Sequence, residues 1–395
     1  MLFLLTNKKL LIFILTVGVF GILNTEMGVI GILPTIAQNF NVTVTQAGLL
    51  VSLFALGIAV SGPILPLVFS GLDRRNVMLL VLGIFVVGNV VSIFTNSFTV
   101  LLIARIIPAL FHPIYMSLAF TVAGSSVSQE EAPKAVAKVF IGVSAGMVAG
   151  VPIVSFIDNT FSYEMAMTFI AIVNIIVFVA TLLFVPSMPV KEKRSYGAQF
   201  SVLKRPVLWI SMIAVLLLNA SVFGVYSYVT EYLYAVTHMS PQWTSMTLLL
   251  FGGANMLGNI IAGRVLTEYP VKAIIMFPLL LGIVYIVFFA IGEYRVPVTL
   301  LTILWGVLAG GIMANLNQYL ISSVAGDAPD FANGLFVTSC NVGTTVGSAF
   351  GGLLLSTMGV EYVILVGIFS VVLSLIMLLI RSYLSNSAKK WTASL

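Results

Sequence analysis

The sequence predicts an all-α membrane protein in which twelve transmembrane helices form two pseudo-symmetric six-helix bundles. Three observations lead to this prediction: the apolar composition, the pattern of long apolar segments with flanking charges, and a polar stretch at the middle of the chain. Of the 395 residues, 60% are hydrophobic and 8% are charged. Because a soluble domain carries about 25% charged residues, most of the surface of this chain must face something other than water.

Twelve apolar segments follow one another along the chain, separated by clusters of charged residues, proline, glycine and asparagine. Each is close to the roughly 20 residues that a helix needs to cross a bilayer. Lipid offers no partner to backbone amides, and the segments are continuous rather than alternating, so we expect helices. The predicted spans are 10–33, 46–69, 77–95, 98–122, 135–156, 164–186, 207–230, 243–263, 272–291, 297–323, 333–356 and 360–381.

The basic residues agree with this number of spans. If the N-terminus is cytoplasmic, sixteen of the eighteen Lys and Arg residues lie in or next to loops on the cytoplasmic side. Arg295 lies on the other side, and Arg105 lies inside a span. Since Lys and Arg collect in short cytoplasmic loops, we expect both termini in the cytoplasm.

The two halves of the chain show signs of duplication. A shift of 197 residues places Ser-Ser-Val at 125–127 on 322–324, and Gly-x-x-x-Gly at 146–150 on 343–347. These matches fall in the fourth and fifth spans of one half and in the corresponding spans of the other, as a parallel repeat requires. The predicted domains are an N-terminal bundle (1–188), a cytoplasmic linker (189–206) and a C-terminal bundle (207–395).

Several function classes are excluded by what the sequence lacks. The single cysteine, Cys340, cannot form an intrachain disulfide, and no set of side chains has metal-ligand spacing. The scattered basic residues form no patch for nucleic acid despite the net charge of +5. Neither a His-Glu-x-x-His motif nor a Gly-x-x-x-x-Gly-Lys phosphate loop occurs. We therefore expect neither an enzyme nor a primary pump, with no metal and no cofactor.

Ionisable residues at membrane depth are the strongest functional signal. Charge at the bilayer centre costs about 2.5–3.5 kcal/mol on insertion scales, so such groups usually face a cavity or a partner. Glu26 in span one and Arg105 in span four qualify, and His112 lies two helical turns beyond Arg105 on the same face, with Tyr115 one turn later. We predict that Glu26 carries a coupling proton and that Arg105 and His112 adjust its affinity. Structural roles as a packing residue and a helix clamp remain open.

Amides and aromatic residues dominate the second half. Those on spans seven, eight, ten and eleven fall on helix faces and predict a neutral, hydrogen-bonding pocket, although the same residues would also serve as interhelical glue. The candidate substrate-binding residues of the whole chain are Asn24, Tyr115, Asn219, Phe223, Tyr226, Asn255, Asn259, Asn315, Gln318 and Asn341. On span five, Gly142, Gly146 and Gly150 form a ridge of small residues that precedes Pro152 and favours close helix approach.

Three of these segments resemble the major facilitator superfamily, and within it the bacterial drug:proton antiporter group that includes the sugar efflux transporters. The stretch from Asn24 to Pro34 is similar to the first-span signature of the sugar exporters. Arg105 in Leu-Ile-Ala-Arg matches the proton-coupling motif of span four, and Gly146 to Pro152 is similar to the antiporter motif, with Val151 interrupting the usual Gly-Pro pair. The resemblance implies a bacterial inner membrane protein.

The loop between spans two and three departs from the superfamily pattern. Alignment of its basic pair with Arg74 and Arg75 puts Ser70 at the expected acidic position, and Asp73 falls where a glycine is usual. The charge latch of the superfamily is therefore in doubt, while a basic loop that caps a helix remains.

The resemblance implies a secondary active transporter that exports a sugar or drug-like molecule in exchange for protons. We expect access to a central cavity to alternate as the two bundles rock. We also expect a monomer embedded in membrane lipid, since one chain supplies a complete pathway. The alternatives are a proton-independent facilitator or importer and a receptor that transports nothing.

Overall fold

Helices form throughout the part of the chain that the computed structural model describes, which is residues 8–128, 131–189, 202–324 and 329–392, and no strand occurs in those ranges. The chain divides into two compact units, Met1–Arg194 and Ser195–Leu395. Most of the predicted linker 189–206 lies outside the described residues. The prediction of an all-helical protein is confirmed.

The first unit contains six long helical segments, of which the first is a continuous stretch of changing pitch. A 3₁₀ segment, Gly28–Ile32, joins two α-helices in that stretch. The helices are α1 (Lys8–Met27), α2 (Leu33–Asn39), α3 (Val44–Ala47), α4 (Leu49–Ser61), α5 (Leu65–Val68), α6 (Arg74–Phe94), α7 (Phe98–Ser125), α8 (Ala132–Thr160) and α9 (Tyr163–Phe184).

The second unit has the same number of long segments. Its fourth segment contains a π-helical stretch, Gly306–Ile312, between two α-helices, and a short 3₁₀ turn, Val360–Tyr362, precedes the last helix. The helices are α10 (Pro206–Tyr226), α11 (Val229–Ala235), α12 (Pro241–Glu268), α13 (Pro270–Ile291), α14 (Arg295–Trp305), α15 (Met313–Ser322), α16 (Pro329–Thr357) and α17 (Val363–Thr392).

Ten of the helical segments are long and apolar enough to cross a membrane, counting only the described residues. The remaining two of the twelve predicted spans correspond to α8 and α16, which are each 29 residues long. The prediction was wrong for the second span, which was expected at 46–69 but ends at Ser61. The reason is Pro63, which has no N–H and cannot continue the hydrogen-bond ladder of a helix.

Within each unit the spans pair in the same order. In the first unit α1 packs on α8, α4 on α7, and α6 on α9. In the second unit the equivalent pairs are α10 with α16, α12 with α14 and the π-helical stretch, and α13 with α17. The first span of each unit therefore lies on the fifth, the second on the fourth and the third on the sixth. This shared order supports the duplication that the sequence predicts.

Glycines bring the first and fifth spans of each unit into close contact. A Cβ atom on Gly146 would lie 2.5 Å from Leu23 Cβ and 3.4 Å from the Phe20 carbonyl oxygen. A Cβ atom on Gly343, at the equivalent position of the second unit, would lie 2.8 Å from Asn219 Cβ and collide with the Leu216 carbonyl. Gly142 and Gly150 approach α1 in the same way, at Thr16 and Asn24 respectively. The ridge predicted on span five is therefore a helix-packing surface.

The loop between α5 and α6 ends in a helix cap. Asp73 Oδ1 accepts a hydrogen bond from the Asn76 backbone amide at 3.1 Å, and Asp73 Oδ2 accepts one from the Ser187 hydroxyl at 2.6 Å. Arg75 Nη2 donates to the Leu182 carbonyl at 2.7 Å. The acidic residue of this loop thus fixes the start of α6 to the segment that follows α9.

Arginines bind the repeated Ser-Ser-Val segments at the ends of the fourth and tenth spans. Arg74 Nη1 donates to the Ser125 hydroxyl at 3.3 Å in the first unit. Arg381 Nη2 donates to the Ser323 hydroxyl at 2.8 Å in the second. An arginine of another helix therefore contacts each copy of the segment, although at different positions of the repeat, since Ser125 aligns with Ser322.

Close packing at Gly343 predicts a measurable loss of stability on substitution. Gly343→Ala would press a methyl group against backbone atoms of α10, which cannot move aside, and such overpacking typically costs about 1–3 kcal/mol. We expect a lower thermal unfolding midpoint in detergent. The matched control is Gly334→Ala on the same helix, where a Cβ atom would meet nothing within 4 Å. Equal midpoints for the two variants would contradict this packing.

The Asp73 cap predicts a pH-dependent contribution to stability. Slight burial raises the pKa of the Asp73 carboxyl, but hydrogen bonds from the Ser187 hydroxyl and the Asn76 amide outweigh it, and the pKa lies below its ordinary value. A lowered folded-state pKa adds stability above the unfolded-state pKa, and that stability is lost as the pH falls through the folded-state pKa.

Asp73→Ala should therefore lower the free energy of unfolding by about 1 kcal/mol at neutral pH, the usual cost of a lost N-cap. The difference from the wild type should shrink below the ordinary pKa of the aspartate carboxyl. Asp73→Asn, which keeps a capping oxygen, should lose less. A difference that does not change with pH in denaturant titrations would show that the charge of Asp73 is not involved.

Candidate functional site

Glu26 and His112 face each other inside the first unit. His112 Nε2 lies 3.1 Å from Glu26 Oε2, and the two side chains are 9% and 12% exposed. Neither ring nitrogen makes a hydrogen bond of good geometry within the described residues, so the contact is an ion pair only when the histidine is protonated. Glu26 is the last residue but one of α1, directly before the 3₁₀ segment. Such a change of helix pitch is often found at a functional hinge.

Arg105 binds the backbone of α1 rather than the Glu26 carboxylate. Its Nη2 donates to the Thr25 carbonyl at 2.7 Å and to the Glu26 carbonyl at 3.3 Å. The side chain is 2% exposed. Because the last carbonyls of an α-helix lack partners within the helix, the guanidinium satisfies this end of α1. The direct partner of the Glu26 carboxylate in this structure is therefore His112 and not Arg105.

Phe54 on α4 contacts both basic residues of the site. The guanidinium carbon of Arg105 lies 5.3 Å from the centroid of the Phe54 ring, and the His112 ring meets the same ring edge-on at 6.3 Å. Phe54 is 1% exposed. A buried cation–π contact is worth about 2 kcal/mol, so Phe54 helps to fix Arg105 in place. Sequence reasoning missed this role, because Phe54 lies in an ordinary apolar run.

A buried amide cluster lies behind the site. The Thr25 hydroxyl accepts hydrogen bonds from Asn89 Nδ2 at 3.1 Å and from Asn174 Nδ2 at 3.0 Å. Asn89 and Asn174 lie on α6 and α9, so the cluster joins the third and sixth spans to the first. Sequence reasoning missed both asparagines, although an amide inside an apolar span is a detectable signal.

Two candidate substrate-binding residues of the first unit are completely buried in this structure. Asn24 is 0% exposed, neither its Oδ1 nor its Nδ2 has a hydrogen-bond partner within the described residues, and its Oδ1 would lie 3.0 Å from a Cβ atom on Gly150. Tyr115 is also 0% exposed, and its hydroxyl fills the space above Gly18. Direct contact of either side chain with a solute therefore requires a different helix arrangement.

Three of the predicted amides of the second unit form a hydrogen-bonded chain. Asn315 Nδ2 donates to Asn259 Oδ1 at 2.6 Å, and Asn259 Nδ2 donates to Asn255 Oδ1 at 2.9 Å. Asn315 Nδ2 also donates to the Gly311 carbonyl at 2.8 Å, within the π-helical stretch. Asn255 is buried, Asn315 half-buried and Asn259 exposed. The chain therefore runs from the interior of the unit to an accessible position.

The other predicted amides are separate from that chain. Asn219 Nδ2 donates to the Cys340 carbonyl and, at 2.9 Å, to the Thr344 hydroxyl on α16. Asn341 Nδ2 donates to the Val337 carbonyl of its own helix at 2.9 Å. Gln318 is exposed. Asn219 thus joins two helices, whereas Asn341 makes its bond within one.

The predicted aromatic residues of span seven belong to a packed cluster. Tyr226 stacks on Phe251 with ring centroids 5.0 Å apart, and Phe251 lies 4.9 Å from Trp305, which is completely buried. Phe223 meets Tyr226 edge-on at 6.0 Å and is only half-buried. Of these two span-seven residues, which were both predicted to bind substrate, Phe223 is the more accessible, and Tyr226 is a core residue of the cluster.

Comparison with known proteins identifies relatives that cover nearly the whole chain. The inner membrane transport protein YdhP of Escherichia coli (strain K12) is 28% identical over 369 residues, which are 93% of this chain and 94% of YdhP. A protein named as a probable sugar efflux transporter in Helicobacter acinonychis (strain Sheeba) is 25% identical over 356 residues, which are 90% of this chain and 91% of that protein.

The fold also matches solved transporter structures. The crystal structure of a mutant of the nucleoside transporter NupG aligns with a TM-score of 0.77 at 16% sequence identity and covers 95% of this chain and 100% of NupG. The sequence model of the Major Facilitator Superfamily matches residues 15–340. The twelve-helix fold and this match agree with the family that the motifs of spans one, four and five resemble. The chain is a multi-pass membrane transport protein that belongs to the Major Facilitator Superfamily.

Proposed function

We propose that this protein exports a small neutral solute in exchange for protons, with Glu26 as the proton-binding group. The observation that carries the proposal is the contact of Glu26 Oε2 with His112 Nε2 at 3.1 Å inside the first unit. A carboxyl and an imidazole in contact can share one proton, so small changes around them alter whether the pair holds it. An ordinary packing contact would not need two ionisable groups.

The position of Glu26 supports a link between proton binding and helix movement. The carboxylate precedes the 3₁₀ segment Gly28–Ile32, and the carbonyls around it are held by Arg105. Protonation of Glu26 weakens its attraction to His112 while Arg105 remains bound to α1. Protonation can drive transport only by favouring one orientation of the protein over the other. At this end of α1 the Glu26 side chain contacts His112, while the backbone carbonyls bind Arg105. A change in the first contact that leaves the second intact allows such a preference.

The proposal of a neutral solute rests on the second unit. The amide chain through Asn259 reaches an exposed position, and the half-buried ring of Phe223 offers an aromatic surface. Amides donate and accept hydrogen bonds without charge, which suits hydroxyl-rich solutes. The relative named for sugar efflux supports export of a sugar or a related molecule. A drug-like compound is the alternative substrate class, and the transport screen described below includes it.

The proposed location is the inner membrane, with both termini in the cytoplasm. The distribution of Lys and Arg supports this orientation, and the relative YdhP is named as an inner membrane protein. We propose a monomer surrounded by lipid, with protons as the coupling ion and no other cofactor.

Glu26→Gln should abolish solute accumulation driven by a pH gradient, because glutamine cannot bind and release a proton. Purified protein in proteoliposomes should be screened with sugars, nucleosides and cationic drugs, with an imposed pH gradient. Exchange of solute without a gradient should continue in the variant. Glu268→Gln, at an exposed position, is the matched control and should behave as the wild type. Gradient-driven accumulation by Glu26→Gln would refute the coupling role, and wild-type transport that ignores the gradient would indicate a facilitator.

His112→Gln should shift the pH dependence of transport. The variant keeps a hydrogen-bonding side chain but removes an imidazole that can itself bind a proton. We expect the pH of half-maximal transport to change while the affinity for solute stays close to that of the wild type. His238→Gln, at an exposed position of the loop before α12, controls for the loss of a histidine. An unchanged pH profile in His112→Gln would mean that His112 does not act on the coupling proton.

A further inference from the structure

A second carboxyl group, Asp158, is enclosed at the far end of the first unit. It lies in the last turn of α8, which ends at Thr160. The Thr35 hydroxyl on α2 donates to Asp158 Oδ2 at 2.6 Å. The other oxygen, Oδ1, is buried and has no hydrogen-bond partner within the described residues. Proton coupling at Glu26 makes no use of this group.

The surroundings of Asp158 disfavour its ionised form. A carboxylate in the last turn of a helix faces the negative end of the helix dipole, which disfavours its negative charge. An ionised carboxylate oxygen that is buried without a hydrogen-bond donor is less stable than one that is exposed to water. Glu164 in the first turn of α9 is close enough to repel a negative charge on Asp158. No basic side chain in the described ranges forms an ion pair with Asp158.

The groups that face Asp158 come from two elements. On α2 the neighbour is Thr35, whose hydroxyl is the one donor to the carboxyl among the described contacts. On α9 the neighbours are Glu164 and Tyr163, and Tyr163 interacts electrostatically with both Asp158 and Arg105. Tyr163 donates its hydroxyl to the Ser92 carbonyl at 3.1 Å. The polar groups around Asp158 therefore extend toward the Glu26 site.

We propose that Asp158 is a second proton-binding carboxyl of the first unit and acts in series with Glu26. Thr35 follows Glu26 by nine residues along the first span, which corresponds to about 15 Å through mixed α and 3₁₀ helix. The end of α8 lies on the side opposite the basic loop before α6, which is the outer side by the distribution of Lys and Arg. Asp158 thus takes a proton from water on the outer side, and the proton continues inward to Glu26.

The contact with Thr35 links this proton to helix position. While α2 stays against α8, Asp158 Oδ1 is dry and the neutral acid is favoured. Separation of the two helices exposes that oxygen to water on the outer side, where the carboxylate can take a proton from hydronium, and closure of the contact then favours the neutral acid. The direction of proton flow rests on the proposed antiport, but the protonation of Asp158 itself does not. Sequence reasoning missed this residue because it falls two positions beyond the predicted span 135–156 and reads as a solvated loop residue.

An infrared titration of the full-length protein in liposomes tests the proposal. The chain contains four aspartates, Asp73, Asp158, Asp327 and Asp330, so labelling with ¹³C-carboxyl aspartate separates their C=O bands from those of the glutamates. We expect one labelled carboxylic acid band to persist to a higher pH than free aspartate shows. Asp158→Asn should remove that band and Glu26→Gln should keep it. Persistence of the band in Asp158→Asn would overturn the proposal.

Two further variants keep the test decisive if Asp158→Asn does not fold. Thr35→Val preserves shape but removes the donor to the carboxylate, so the titration midpoint of the band should move to higher pH. Glu164→Gln removes a repelling charge, so the midpoint should move to lower pH. Absence of both shifts would show that the persistent band does not report a proton on Asp158 and would refute the proposal. Failure of Glu26→Gln to affect transport would instead refute the proposed antiport and leave the band assignment untouched.

Discussion

The arrangement of the first unit depends on enclosing one carboxylate, Glu26, among apolar helices while it touches a single ionisable partner. Burial without a partner would favour the neutral acid permanently, and a fixed arginine partner would favour the anion permanently. In this structure the direct partner of Glu26 is His112, whose Nε2 lies 3.1 Å from Glu26 Oε2. Arg105 is directed to the backbone of α1 instead, where it satisfies carbonyls at a helix end. Phe54 packs on the side chains of both Arg105 and His112.

The two units use one packing plan with different polar groups. In both, glycines of the fifth span meet the first span at equivalent positions, as Gly146 and Gly343 demonstrate. The first unit places ionisable groups beside this contact, whereas the second places amides such as Asn219, whose Cβ atom lies next to Gly343. The two units therefore share the close helix contact and differ in the polar side chains around it.

The sequence predicted the features that depend on composition and spacing. Helix type, the repeat and the glycine ridge follow from local pattern, and the proximity of His112 to Glu26 follows from the cost of placing ionisable groups in a membrane. It did not predict contacts that depend on how helices are oriented. Arg105 was expected to act on the Glu26 side chain but binds its backbone carbonyl. Asp158 was missed because it lies just beyond the apolar segment of its helix, and hydropathy does not reveal that Thr35 hydrogen-bonds to it. Nor does an apolar run reveal which phenylalanine faces a cation, as Phe54 does.

The most direct test of this account is the number of protons released when solute binds. Purified protein in weakly buffered detergent solution would be mixed with a solute found in the transport screen, and the pH change followed with an indicator dye. If solute and proton compete through Glu26, the wild type should release protons when solute binds, because binding energies of linked ligands are reciprocal. Solute that binds the wild type with no change in pH at any starting pH would contradict the account.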